Sequence, residues 1–481
     1  MKIAGIYPQS PGLDTKIQHA VSEPYGLEMI LAIAKQQGHE VELFTNFKQE
    51  GNSVIPISEE ELIGRVSEFQ PDIGAFSLYT CQYPSGKRIA RELKRRLPNI
   101  KNIAGNRYPT YLKSVENPFD FFVLKEGEQT FKELLNEIET TQHYERVKGL
   151  SFMKNNSVIT TEQRPRNFDL DSLPDALRFP VILNQVYKGI SMPPLSEKPY
   201  YAVIESSRCC YNNCKFCDNS EFWGNRIAFR SPKRVVDEMF KLKEKGVDIF
   251  YFMDLNFTAV PEKTRELCEE MLRRNLNVSW YCMSNSATIN RALERDPEFL
   301  HRMKSAGCHK IAFGIESTND TVLERMNKKV GRQFTTSNMN MNALQHSLEA
   351  GIINQGFYII GFPWETEDSI ISDSKNLRNI PLHILNIGIF TPIILSRFHK
   401  EILADGYKID SDLEKHDRNN LVYNHRTLSQ ERIKELQRRI YKDFYSTQEY
   451  QQRIEASCSI DSRFRKAFDD YFKFLGGKIA A

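Results

Sequence analysis

The chain has 481 residues, 40% of them hydrophobic, and a formal net charge of +3. That length accommodates two to four domains with their own cores. So small a net charge gives no bulk electrostatic case for a nucleic-acid partner. No run of about 18 apolar residues occurs, so no membrane span is expected. Met1-Lys2-Ile3-Ala4-Gly5-Ile6-Tyr7 leads straight into a strand rather than a secretory leader. The nine cysteines are odd in number and mostly scattered, which argues against a disulfide framework and for a reducing, cytoplasmic setting.

Residues 1–150 alternate strand and helix. Strands are expected at Lys2–Tyr7, Val41–Phe44, Ile73–Leu78, Ile100–Ala104 and Phe121–Leu124. Helices are expected at Leu27–Gln36, Glu59–Glu68, Ser85–Leu97 and Glu128–Glu139. Units of this length imply an α/β fold with a doubly wound parallel sheet, of flavodoxin or Rossmann type. Ligands of such sheets bind beyond the carboxyl ends of the strands. The loops there are Pro8–Thr15, Tyr79–Gly86 and Gly105–Tyr111.

Residues 151–195 are polar, rich in proline toward their end, and read as a linker. From 196 to 395 a second alternation runs, with six strands beginning at Tyr201–Glu205 and ending at Ile384–Phe390. It implies a partial barrel, whose site belongs at the carboxyl ends of its strands. Residues 396–481 read as a charged helical region. Ile433, Leu436, Ile440 and Phe444 are spaced for one helix face. Phe464, Phe468, Tyr471, Phe472 and Phe474 are expected to pack on the barrel and to close its site.

The first barrel strand is followed by Cys210, Cys214 and Cys217, a C-x3-C-x2-C run with Phe216 before the last cysteine. Three thiolates this close can hold three irons of a cubane cluster and leave the fourth iron open. A structural zinc site would need a fourth ligand, commonly from a second cysteine pair, and no second C-x2-C exists. Cys209 stands five residues before Cys214 and is taken as a neighbour, not a ligand.

This spacing resembles the signature of the radical S-adenosylmethionine (radical SAM) superfamily. The resemblance implies a [4Fe-4S] cluster on Cys210, Cys214 and Cys217, whose open iron takes SAM, and a 5′-deoxyadenosyl radical formed on reduction. It also implies an electron donor of flavodoxin or ferredoxin type. Gly314-Ile-Glu-Ser317 and Gly356-Phe-Tyr-Ile-Ile-Gly361 match the family's SAM-binding strands. Phe216, Glu316, Ser317, Gly361 and Ser284 are the SAM candidates that follow from it. Trp280, Cys282 and Ser284 share one face of the third barrel strand by alternation. If that face is the interior, the Cys282 thiol could give a hydrogen atom to a substrate radical; otherwise it is a small buried hydrophobe.

Pro24-Tyr-Gly-Leu27, Gly38-His-Glu-Val41, Pro71-Asp-Ile-Gly74, Tyr83-Pro-Ser85 and Glu126-Gly-Glu128 make residues 1–150 similar to the cobalamin-binding domain that precedes many radical SAM barrels. The resemblance implies cobalamin near Ser77, Gly105 and Asn106, without an axial histidine because no D-x-H-x-x-G is present. The family often has two glycines, a proline and a histidine where this chain has Ala104-Gly-Asn-Arg-Tyr108, and that bulk could block the cofactor. Two outcomes follow. One is cobalamin-dependent C-methylation of an unactivated carbon. The other is dehydration, epimerisation, cyclisation or rearrangement with a structural N-terminal domain. A small molecule, lipid, tetrapyrrole or peptide would each serve as substrate.

Overall fold

The computed structural model describes residues 1–8, 23–50, 53–180, 200–330, 333–466, 468–469 and 471–472. The chain forms two compact units, Met1–Gln185 with Ser411–Asp417, and Val186–Asp410 with Arg418–Ala481. The expected loop Pro8–Thr15 lies outside the described residues beyond Pro8.

In the first unit, parallel strands stand in the order Glu40–Thr45, Lys2–Tyr7, Ile73–Ser77, Lys101–Gly105 and Phe121–Val123. Ile3 lies opposite both Val41 and Ile73, so buried aliphatic side chains run across the sheet in layers. Chain direction across the sheet reverses between Lys2–Tyr7 and Ile73–Ser77, which opens a crevice at their carboxyl ends. The doubly wound expectation holds, with an extension. Leu150–Lys154 and Ser157–Thr160 add two antiparallel strands at one edge, where a linker was expected. Asn155 and Asn156 both take positive φ, 49° and 60°, as a type I′ hairpin turn requires. Two further expected loops are partly helical, at Thr80–Gln82 running into Tyr83–Arg96, and at Arg107–Leu112.

The second unit is built on six parallel strands in sequential order: Tyr200–Ile204, Val247–Phe252, Ser279–Ser284, Cys308–Glu316, Ile353–Ile360 and Ile384–Ile389. Helices between them cover one face. Trp280 packs there against Phe252 and Phe257 and donates its indole N–H to Ala306 at 2.7 Å. Side chains of opposite parity face inward. Tyr251 stacks on Tyr281 at 4.6 Å, and the Lys310 ammonium lies 4.2 Å from the Tyr281 ring centre.

The tail differs from its expected course. Helices occupy Arg397–Ala404, Gln430–Tyr445 and Gln448–Ile460, but residues 405–428 are mostly irregular. Phe464 and Phe468 are buried against His309 and His383, which stand at the amino ends of their strands. These aromatics therefore seal the floor of the barrel and do not close its mouth, because that floor is where the parallel strands leave apolar surface uncovered. Phe474 lies outside the described residues. Phe468→Ala empties a fully buried site and should cost about 3–5 kcal/mol. A lowered thermal midpoint in a fluorescence melt checks this, and an unchanged midpoint would remove Phe468 from the barrel core.

Candidate active site

The cluster loop leaves the first barrel strand under tight restraint. Ser206 donates its backbone N–H and hydroxyl to Asp254 at 3.0 and 2.6 Å, and Ser207 adds a hydroxyl at 2.5 Å. Asp254 follows the second strand, so one carboxylate joins two strand ends. Burial outweighs those bonds and pushes its pKa up to about 6. Arg208 donates Nε to both oxygens of Glu205 at 2.9 Å, fully inside the protein. Cys209 takes φ +92° and turns its thiol to the Gly224 carbonyl, 3.3 Å away.

Cys210, Cys214 and Cys217 lie half-buried in the loop beyond. Burial drives the Cys210 and Cys214 thiols up to about 12 while the Lys328 ammonium pulls them down. Among the described residues, no three His, Cys, Asp or Glu side chains converge as ligands of a single ion. A cubane takes each of three thiolates on a different iron. The loop is stitched on both sides: Lys215 N–H donates to the Met326 carbonyl at 2.8 Å, and the Lys215 carbonyl accepts from Phe398 N–H at 2.9 Å. Phe216 packs with Met326, Phe362, Phe390 and Phe398.

The fourth strand ends beside this loop. Glu316 takes φ +67° where the register against Tyr358 slips, and its carboxylate meets Lys328 Nζ at 3.1 Å. A Cβ on Gly314 would stand 2.5 Å from that carboxylate and 3.0 Å from the ammonium, so a larger residue there would push the pair aside. Glu316 and Lys328 both reach the Cys214 thiol electrostatically. Lys328 was not legible in the sequence, since it belongs to no periodic segment and its role depends on the turn after Asp320–Arg325.

The other sequence candidates divide. Ser317 donates to Asp373 at 2.6 Å, and Thr318 N–H donates to the same carboxylate at 3.1 Å. Ser284 shares a short bond with Thr258. Both hydroxyls therefore brace strand ends. Asn256 accepts Asn285 N–H at 3.2 Å, and its buried Nδ2 has no protein partner, a donor that a ligand oxygen would satisfy. Cys282 is corrected: it faces the helices beside Cys268 and Cys308, wholly buried, because the inward side chains of its strand are Tyr281 and Met283. A hydrogen-atom donor to an interior substrate cannot come from that face.

Gly361 takes φ +85° and, with Phe362, donates backbone N–H to Glu365 at 2.7 and 2.8 Å. The Gly361 carbonyl accepts from Tyr423. Burial lifts Glu365 to about 8. Its folded pKa lies above the free value of 4.5, so its stabilising contribution is complete at low pH and is lost as pH rises through about 8. Glu365→Gln keeps a neutral acceptor, and should gain about 1 kcal/mol over the parent between pH 6 and 9. Parallel unfolding profiles of the two proteins across that range would contradict it.

In the first unit, Ser77 and Gly105 end adjacent strands at the crevice. Asn106, at φ +81°, accepts from Arg107 N–H at 2.8 Å and donates to Ser77 Oγ at 3.0 Å. Tyr108 is folded inward, 4.5 Å from the Tyr83 ring, and so does not fill the edge. Tyr79 stands 46% exposed there, and adding a Cβ to Gly105 would meet nothing closer than 3.5 Å. Among the described residues, Ser77, Tyr79, Gly105 and Asn106 are thus at least partly exposed at this edge. His39 lies at the opposite end of the sheet, 3.3 Å from the Met1 amino group.

The chain matches the radical SAM superfamily over residues 204–377 and the B12 binding domain over residues 19–135. It is 24% identical over 450 residues to the uncharacterized methyltransferase PH0819 of Pyrococcus horikoshii, covering 92% of each chain. It is 28% identical over 362 residues to the anaerobic magnesium-protoporphyrin IX monomethyl ester cyclase of Synechocystis, covering 72% of this chain and 67% of the other. Its fold is that of the radical SAM methyltransferase TsrM of Kitasatospora setae, solved with cobalamin and a [4Fe-4S] cluster, at TM-score 0.67 and 14% identity over 92% of this chain and 88% of that one. No described helix is long and apolar enough to cross a membrane. A radical SAM domain works with SAM and a [4Fe-4S] cluster, and a B12-binding domain with cobalamin. The chain thus carries a radical SAM domain with a B12-binding domain ahead of it in sequence.

Proposed function

We propose that the protein is a cobalamin-dependent radical SAM methyltransferase that methylates an unactivated carbon of a small molecule. The observation that supports it is one chain carrying both a B12-binding domain and a three-cysteine loop after the first strand of a six-stranded parallel sheet. Cys210, Cys214 and Cys217 would hold the cluster, which would supply the electron for cleaving SAM to methionine and a 5′-deoxyadenosyl radical. Ser77, Gly105 and Asn106 would hold cobalamin, which would supply the methyl group. Lys328 attracts the SAM carboxylate, and Glu316 attracts its ammonium or ribose. Asp254 and Asp373 act as positioning residues, by fixing the ends of three strands around that pair. The inward face, with Tyr251, Tyr281, Met283, Phe357 and the Gln355–Asn386 amide pair at 2.8 Å, receives the substrate.

Two measurements test this. Anaerobically reconstituted protein is expected to hold one four-iron cluster and to form 5′-deoxyadenosine from SAM with a strong reductant. Changing all three cluster cysteines to alanine should abolish the visible absorption and the deoxyadenosine together. A full complement of cluster iron in that variant would sink the ligand assignment.

Protein purified from cobalamin-supplemented cells should carry a corrinoid spectrum without a histidine axial signal. A corrinoid-free protein that still cleaves SAM would replace methylation with a cobalamin-independent radical reaction.

A further inference from the structure

Burying an ammonium strips it of water, so a lysine inside a protein calls for an explanation. Lys310 of the fourth barrel strand is 3% exposed. Its ammonium lies 4.2 Å from the centre of the Tyr281 ring, a cation–π contact. Tyr251 stacks on the same ring at 4.6 Å, and the Tyr201 hydroxyl is 3.5 Å from that of Tyr281. Strand register puts Tyr251, Tyr281 and Lys310 on one level. The first four strands thus carry a row of phenols that ends on an ammonium. Burial lowers the pKa of Lys310 to about 7, so an anion beside it would draw the amine back to full charge.

The inward face that carries this row borders unfilled space. Tyr281, Met283, Gln355, Phe357 and Asn386 are half-exposed there, while Cys282, Tyr358 and Ile387 on the outward face are buried. A filled interior would bury both sets alike. Tyr281 stands three residues before Ser284, the end of its strand, so this level lies about 10 Å below the mouth. The acids of the six strands are Glu316 and Asp248. The Glu316 carboxylate folds over Gly314 and is held by Lys328 at 3.1 Å. Asp248 lies two strands from Lys310 and three residues lower.

We infer that Lys310 anchors a carboxylate of the substrate, which enters the barrel acid end first and leaves its reacting carbon at the mouth beside the cluster loop. One ammonium balances one carboxylate, whereas a phosphate monoester carries nearly twice that charge. Met283 and Phe357, on the same face, suit an apolar body between the two ends. The inference rests on the radical SAM reading of the barrel and adds a substrate class to it.

The experiment is isothermal titration of the anaerobically reconstituted full-length protein with three probes of matched length: 6-phenylhexanoate, its carboxamide, and 5-phenylpentyl phosphate. The acid is expected to bind roughly tenfold or more tighter than the amide. At about pH 8, titration in two buffers of different ionisation enthalpy should show the acid taking up most of one proton and the amide none. Tyr201, Tyr251, Tyr281 and Glu316 face the same space in both titrations, so the difference between the probes isolates Lys310. Lys310→Met, an unbranched chain of similar size, should bind acid and amide equally. Lys132→Met, at an exposed position elsewhere, should keep the preference.

Equal binding of acid and amide by the parent, or no proton uptake with the acid, overturns the anchor, and neither measurement depends on a variant that folds. An acid preference that survives in Lys310→Met overturns the assignment to that residue. Tighter binding of the phosphate overturns the choice of carboxylate. Deoxyadenosine formation from SAM is read on the same preparation without any probe. Its absence sinks the functional reading, and with it the claim that the acid belongs to a substrate. A missing acid preference with deoxyadenosine intact overturns this inference alone.

Discussion

Three donors from Ser206 and Ser207 converge on the buried carboxylate of Asp254. This junction governs the mouth of the barrel. A parallel sheet ends with all its strands pointing the same way, and each chain end must turn at once into a loop. Here the turn must also deliver three thiols. An unsatisfied buried carboxylate would be costly, and so would buried N–H and hydroxyl groups without an acceptor. Each side needs the other, so the first two strand ends cannot move apart. The Glu205–Arg208 pair and the Cys209 turn extend that rigidity to the first ligand.

A similar device recurs at the fourth and fifth strands. Asp373 reaches from a helix to hold Ser317 and Thr318, and Glu365 folds back to hold Gly361 and Phe362. Each is a buried carboxyl group that accepts from the residues just past a strand. They leave the Glu316–Lys328 pair as the charged groups poised beside the cluster cysteines. The floor of the barrel is stabilised differently, by aromatic packing of Phe464 and Phe468. Polar restraint thus lies where chemistry is expected, and apolar packing at the opposite end.

Much of this was legible in the sequence because period-two and period-3.6 patterns report local burial. All six barrel strands and the five parallel strands of the first sheet fell within a few residues of their expected places. The cysteine loop was legible because its ligands are close in sequence. What escaped was of two kinds. The edge hairpin at 150–160 is short and half-exposed, so it has little pattern, and only Asn155-Asn156 marks its turn. The partners of the site residues are distant in sequence: Asp373 lies 56 residues from Ser317. No local window shows that a serine hydroxyl is already committed. Cys282 failed for a related reason, since alternation says which residues share a face but not which face looks inward.

The thiols outside the cluster loop have a practical bearing on handling the protein. Cys209, Cys268, Cys282, Cys308 and Cys458 are buried, and Cys81 alone of the remainder is partly open. Alkylating reagents act on accessible thiolate, and burial suppresses both access and ionisation. In the folded apoprotein, covalent labelling should therefore begin at Cys81, because burial pushes the Cys210 and Cys214 thiols up to about 12 and leaves little thiolate there. Cys268, Cys282 and Cys308 would react only once the barrel opens. The order in which thiols label thus reports on unfolding of the barrel, readable by peptide mass mapping without any substrate.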